Sequence, residues 1–247
     1  MRLTRVVAAA AIALLLAGCA TAEATRTVTV FAAASLTETF EQLAEKFEAR
    51  REGVDVRLSF GGSSRLAEQL AEGAPADVFA AADDKAMAKA VQAGVIDGEP
   101  QRFARNRMTI AVAPGNPKKI DGLTGLRGDV VLVTCAPEVP CGRAAQALAA
   151  NANVRLQPAS EEPDVKSVLG KVAAGEADAG LVYVTDVRAA AGKVDAVPIT
   201  GADAVANAYP IATTREAAEP DLARQFVEFV LSDEGQRVLR DAGFDAP

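Results

Sequence analysis

Ser35, the Ser63-Ser64 pair, the Ala81-Ala82-Asp83 step, Pro140-Cys141-Gly142, Asp164-Val165 and Tyr183 share one kind of position: each closes a β-rich run or opens a helical one. In open α/β sheets, ligands gather at the carboxyl ends of strands, beside helix N-termini. There the first helical turn offers N–H groups with no intrahelical acceptor, and the helix dipole favours negative charge. Several such turns, each with a hydroxyl or free N–H groups, suit a small anion better than a nucleotide. A tetrahedral dianion presents four oxygens, each able to accept more than one hydrogen bond, and a site of this kind needs no Arg or Lys. Every turn also has a plain structural reading. Ser35 and Glu38 match the S-x-x-E capping box, and Asp83 and Asp164 match N-caps. Gly61-Gly62-Ser63-Ser64 matches an ordinary turn, and Tyr183 a core aromatic with a polar handle.

Other chemistries are harder to build. The chain has no histidine, which removes the commonest general base, the commonest zinc ligand and every Ser-His-Asp or Cys-His scheme. A secreted hydrolase or transferase would want a base beside Ser35 or Ser63, and none is visible. Arg65 stands where a G-x-S-x-G nucleophile elbow needs glycine. Residues 61–64 are too few for a phosphate-binding P-loop. The formal charge is −7, from 26 basic and 33 acidic residues, and no basic stripe is present. Nucleic acid is therefore not an expected partner.

The elements that must position these turns can be read from periodicity. Thr27 to Phe31 alternates as a strand, and Leu36 to Arg50 carries Leu36, Phe40, Leu43, Ala44 and Phe47 at helical spacing. Strand and helix then recur at Val54–Phe60 with Arg65–Glu72, and at Val78–Ala81 with Asp83–Ala93. That rhythm implies parallel strands joined by crossover helices, an α/β fold. Further strands are expected at Met108–Ala113, Val130–Thr134, Val154–Gln157, Ala179–Val184, Val197–Ile199 and Tyr209–Thr213. Helices are expected at Arg143–Ala150, at Asp164–Ala174 and, as one closing element, at Pro220–Asp241. No linker interrupts the chain. Two lobes joined by two crossovers, at Arg102–Met108 and Gly201–Asn207, explain this best. Residues 28–105 with 205–247 then form lobe 1, and residues 106–204 form lobe 2. Half the residues are hydrophobic but only 4% are aromatic, so the core is built largely from small side chains.

The N-terminus reads as a targeting segment. Arg2 and Arg5 precede an apolar run, Val6 to Ala17, too short to span a membrane. It ends in Leu16-Ala17-Gly18-Cys19, which looks like a bacterial lipobox; the alternative is an ordinary signal peptide with a chance cysteine. Residues 1–18 are thus expected to be a signal peptide, Cys19 the lipidated mature N-terminus, and 19–27 a polar tether. The protein is expected outside the cytoplasm, lipid-anchored to the membrane, with a mature charge of −9 from 24 basic and 33 acidic residues. Two cysteines remain, Cys135 and Cys141. Outside the cytosol they can form a disulfide across a loop stiffened by Pro137 and Pro140; two free thiols are the alternative. Their spacing and the lack of further Cys or His speak against a metal site.

Taken as an ordered set, these motifs are specific. Phe31-Ala-Ala-Ala-Ser-Leu-Thr37, Ser59-Phe-Gly-Gly-Ser-Ser64, Gly73-Ala-Pro-Ala-Asp-Val-Phe79 with Ala82-Asp83, Val139-Pro-Cys-Gly142, Asp164-Val165, Gly180 to Asp186, Tyr209-Pro210 and Gly243-Phe244 follow in sequence. The chain resembles the periplasmic molybdate-binding proteins of ABC importers over nearly its whole mature length. The resemblance implies a type II periplasmic-binding-protein fold, two Rossmann-like lobes with the ligand cleft between them. It implies molybdate, and tungstate with it, as ligand, with molybdenum present only as the oxyanion, no cofactor and no catalysis. An ABC importer permease is the implied partner and a monomer the expected state. It implies oxyanion contacts from Ser35 and Ser63 by hydroxyl and N–H, from Ala82, Cys141 and Val165 by backbone N–H, and from Tyr183 by its hydroxyl. Two departures stand out. Cys141 occupies a position where the family usually has alanine, and Gly61-Gly62 precede Ser63 where serine or alanine is common. A binding protein for sulfate or another oxyanion, and an oxyanion sensor without a transport role, are the competing readings.

Overall fold

The computed structural model describes residues 25–247, so the expected signal peptide, Cys19 and the tether up to residue 24 lie outside the described residues. In chain order the first part forms β1 (Arg26–Ala33), α1 (Thr37–Glu48), β2 (Val54–Gly61), α2 (Ser63–Ala71), β3 (Val78–Ala80), α3 (Asp84–Gln92) and β4 (Ile96–Asn106). The middle forms β5 (Met108–Val112), β6 (Leu132–Cys135), α4 (Pro140–Asn151), β7 (Ser160–Glu162), α5 (Val165–Ala173), β8 (Ala179–Tyr183), α6 (Val184–Ala189) and β9 (Asp195–Pro198). The end returns through β10 (Asn207–Thr214) to α7 (Pro220–Leu231) and α8 (Asp233–Ala242).

Two five-stranded sheets result, ordered β2-β1-β3-β10-β4 and β7-β6-β8-β5-β9. In the first, β1 runs parallel to β2 and β3, as the strand–helix rhythm requires, while β10 is antiparallel to β3 and β4. In the second, β6 is parallel to β7 and β8, and β5 is antiparallel to β8 and β9. The chain passes between sheets at Arg107 and again between Pro198 and Asn207.

Alternation along β1 divides the first core. Val28, Val30 and Ala32 pack with Phe40, Phe47, Phe226 and Leu239 of α1, α7 and α8. Phe31 turns the other way, toward Leu66, Leu70, Met87 and Ala90 of α2 and α3. Period-two side-chain direction thus buries both faces of the sheet. The second sheet has its own apolar cluster, from Ile110 through Leu148, Val168 and Leu181. The few aromatics are concentrated around the first core. Phe47 meets Phe226 edge-on at 5.2 Å between centroids, Phe40 meets Phe103 at 5.8 Å, and Phe103 and Phe244 flank Tyr209 at 6.2 and 5.4 Å.

Several expected boundaries move for identifiable reasons. Residues 102–106 are not a bare crossover but the end of β4, whose Gly98 and Pro100 disguise it; β4 is an edge strand, where proline is tolerated. Residues 154–157 are not a strand. The polar stretch Ser160–Glu162 pairs with β6 instead, on the other sheet's edge. The single closing helix is two helices. Ser232 breaks it in an extended conformation, its hydroxyl donating to Phe229 O at 2.7 Å and accepting the Gly235 N–H at 3.3 Å. The capping box at Ser35 and Glu38 does not form: α1 starts at Thr37 after a 3-10 turn, Ala34–Leu36, with no side-chain cap. Glu38 is drawn away by Lys166 of the second lobe, at 2.7 Å.

Candidate functional site

One cavity is lined from both lobes by Ser35, Ser63, Ala82, Cys141, Val165 and Tyr183, all buried. Three come from the first lobe and three from the second. Ser63, Cys141 and Val165 lie in the first turns of α2, α4 and α5, Tyr183 immediately precedes α6, and Ser35 sits in the 3-10 turn after β1. First-turn N–H groups lack intrahelical acceptors, so the helix starts supply aligned donors at the cavity wall. The rest of the wall is small and apolar, from Ala33, Ala34, Gly61, Gly62 and Pro140. The carboxyl of Asp164, the only one in the lining among the described residues, is turned along α5, where Oδ1 accepts the Ser167 N–H at 2.9 Å and caps the helix. Among the described residues, no lysine or arginine side chain lines the cavity.

The hydroxyls are held by a buried network. Ser35 Oγ and the Tyr209 hydroxyl lie 2.9 Å apart, and the Asn106 side-chain amide donates to Tyr209 at 3.4 Å and to Thr185 Oγ1 at 2.8 Å. If Tyr209 donates to Ser35, the serine proton is free to point into the cavity. Ser63 Oγ accepts the Ala82 N–H at 3.0 Å, so the hydroxyl that receives this N–H has its own proton left to donate. The Ala82 N–H, expected to face a ligand, lies at the cavity wall and donates to Ser63. Asn207 fixes this strand end by donating to Ala82 O at 2.8 Å. Of the two adjacent serines, Ser63 faces the cavity, while Ser64 reaches across to the Glu138 carbonyl at 2.6 Å.

Tyr183 differs from the others. Its hydroxyl is buried and, among the described residues, has no hydrogen-bond partner. Burial first, then the neighbouring Tyr209, Asp83 and Asp186, push its pKa well above the ordinary phenol range. It is therefore a neutral donor. A buried unpaired hydroxyl is costly, and a ligand oxygen in the cavity would satisfy it. Cys141 lines the cavity from the start of α4, and its sulfur is bonded to Cys135. The disulfide ties the end of β6 to the first turn of α4, closing the loop that leads to the cavity. A constraint on so short a loop contributes about 2 kcal/mol. Gly142 is required beside it, since a Cβ there would lie 1.9 Å from Ala136 O.

A model of bacterial extracellular solute-binding proteins matches residues 28–245. This chain belongs to that family. It is an extracytoplasmic solute-binding protein. The molybdate-binding protein ModA of Mycobacterium tuberculosis is 47% identical over 223 residues, covering 90% of this chain and 85% of the relative. The periplasmic molybdate-binding protein of Azotobacter vinelandii has the same fold, with a TM-score of 0.77 at 24% identity, over 89% of this chain and 99% of that one. The sulfate-binding protein SubI of M. tuberculosis is as similar in shape, with a TM-score of 0.76 at 20% identity, over 89% of this chain and 86% of that one. These two structural likenesses speak for the fold alone.

For a solute-binding protein the notable additions to the sequence reading are the residues behind the cavity wall. Asn106 and Asn207 fall in the stretches that read as crossovers, and Thr185 falls in the Gly180 to Asp186 motif without standing out there. The helix expected to start at Arg143 begins at Pro140, and Arg143 reaches the other lobe. The sequence signals for this layer are Tyr209, in the Tyr209-Pro210 motif, and Thr185, in the Gly180 to Asp186 motif.

Proposed function

We propose that this protein captures molybdate, and tungstate with it, in the cavity between its lobes and delivers it to an ABC importer. The observation that carries this reading is the convergence of Ser35, Ser63, Cys141, Val165 and Tyr183 on one cavity that no described Lys or Arg lines, with the Tyr183 hydroxyl otherwise unpaired among the described residues. The anion is bound by hydroxyls and helix N-termini, with Ala82 acting through Ser63. Dipoles already aimed at the cavity need no reorganisation when the dianion arrives. The 47% identity to a protein named for molybdate binding supports the choice of ligand. Lobe 1 comprises residues 28–105 and 205–247 and lobe 2 residues 106–204. The protein acts as a monomer, without catalysis, held at the membrane by lipid on Cys19.

The experiment is calorimetric titration of the purified mature domain with molybdate, tungstate, sulfate and phosphate. Tight binding of the first two alone is the expected result. Preferential binding of sulfate would replace this reading by that of a sulfate-binding protein, which uses similar donor chemistry in the same fold.

A further inference from the structure

Asp83 directly follows Ala82 at the cavity wall. Its Oδ1 accepts the Ala86 N–H at 2.8 Å and caps α3. Its other oxygen, Oδ2, faces the second lobe, where Arg143 of α4 meets it with Nε at 2.7 Å and Nη2 at 2.6 Å. The two side chains are only 15% and 20% exposed, so water screens the pair weakly. Arg143 is oriented by its own lobe, through a hydrogen bond from Nη1 to Glu138 O in the loop that the Cys135–Cys141 disulfide closes. The same carbonyl accepts the hydroxyl of Ser64 from the first lobe.

A carboxylate beside a dianion repels it, and only a counter-ion makes the arrangement tolerable. Asp83 belongs to one lobe, and its cation belongs to the other. We propose that Arg143 is a closure-coupled counter-ion: as the lobes shut on the anion, its guanidinium docks on Asp83, cancels that charge and latches the closed state. Neither side chain is among those lining the cavity. The pair acts on how long the anion is held rather than by touching it. In the open protein Asp83 stands uncompensated, so release is favoured once the latch parts.

The inference rests on the anion reading above, and its test separates the two. Both tyrosines of the chain, Tyr183 and Tyr209, lie at or behind the cavity, so tyrosine fluorescence reports molybdate release after rapid dilution. Arg143→Met leaves Asp83 unpaired and should speed release about tenfold or more. Asp83→Asn keeps the cap of α3 and removes the charge; the double variant D83N/R143M should release more slowly than R143M, because the repelling charge is gone, and still faster than the parent, because the latch is gone. A thermal melt confirms that each variant is folded. Unchanged release in R143M, or a double variant as impaired as R143M alone, overturns the latch. If the parent takes up no molybdate, the anion reading fails instead, and small-angle scattering of the ligand-free protein reads the latch directly. R143M should then populate a wider particle than the parent, and identical distance distributions overturn it.

Discussion

Removing a buried hydroxyl costs a protein most when a partner is left stranded, and the Tyr183 hydroxyl has no hydrogen-bond partner among the described residues. Tyr183→Phe keeps the ring and its edge-on packing against Tyr209, 6.1 Å between centroids, and deletes only the donor. The ligand-free protein should melt no lower than the parent. Its affinity for molybdate should fall by about ten- to a hundredfold, since a hydrogen bond to a charged group contributes about 1.5–3 kcal/mol. Calorimetry and a melt on one preparation check both halves, and unchanged affinity removes Tyr183 from the site. Ser35 is the opposite case. Its loss would strand the Tyr209 hydroxyl, whose other contact, to Asn106, is long at 3.4 Å, so a weakened S35A protein would mix binding with stability. The same asymmetry explains what could be read in advance. Ser35, Ser63 and Tyr183 sit at strand ends, where position alone suggests a ligand. Asn106 and Thr185 act one layer behind, through contacts 79 residues apart in sequence that no local pattern encodes.

At the start of α6 an acidic side chain holds the turn that presents Tyr183. Asp186 Oδ2 accepts the Tyr183 N–H at 3.0 Å, Lys166 lies 3.4 Å from Oδ1, and the carboxyl is fully buried. Burial dominates over Lys166 and raises its pKa from 3.8 to about 6. An acid whose folded pKa is raised favours the fold most when protonated. That contribution is fully present below pH 3.8 and is lost as the pH rises through about 6. Asp186→Asn keeps an acceptor for the Tyr183 N–H and stays neutral at every pH. Its stability relative to the parent should therefore climb between pH 4 and 6 and level off above, by up to about 3 kcal/mol. Urea midpoints of both proteins across that range test it, and a pH-independent difference would refute it. Elements with strong periodicity, such as β1, α1 and α5, were legible in the sequence because burial of one face dictated their pattern. Edge strands were not, because Gly98, Pro100 and the polar Ser160–Glu162 stretch answer to solvent on one side. The break at Ser232 was missed for a related reason: the apolar spacing of α7 carries on into α8, and only the serine cap interrupts it.

Across the whole molecule, binding depends on how closely two lobes can approach, and that distance is fixed by a residue with no side chain. Gly62 lies at the entry to α2 with φ −63° and ψ 125°, a conformation open to any residue. Its requirement is space: a Cβ there would sit 2.3 Å from Pro163 O of the other lobe. Pro163 leads into α5, so the contact sets how near the helix start carrying Val165 comes to the one carrying Ser63. A single methyl at this point should hold the lobes apart without disturbing either core, because the first lobe's clusters do not include Gly62. Gly62→Ala is thus expected to leave the ligand-free melting temperature unchanged and to weaken molybdate binding about tenfold or more, since a small displacement of aimed donors removes much of their benefit. The loss should appear mainly as faster release, because the open cleft still admits the anion while the closed one no longer fits. If Gly62→Ala instead lowers the melting temperature and leaves release unchanged, the close approach belongs to the folding of one lobe and not to closure of the two.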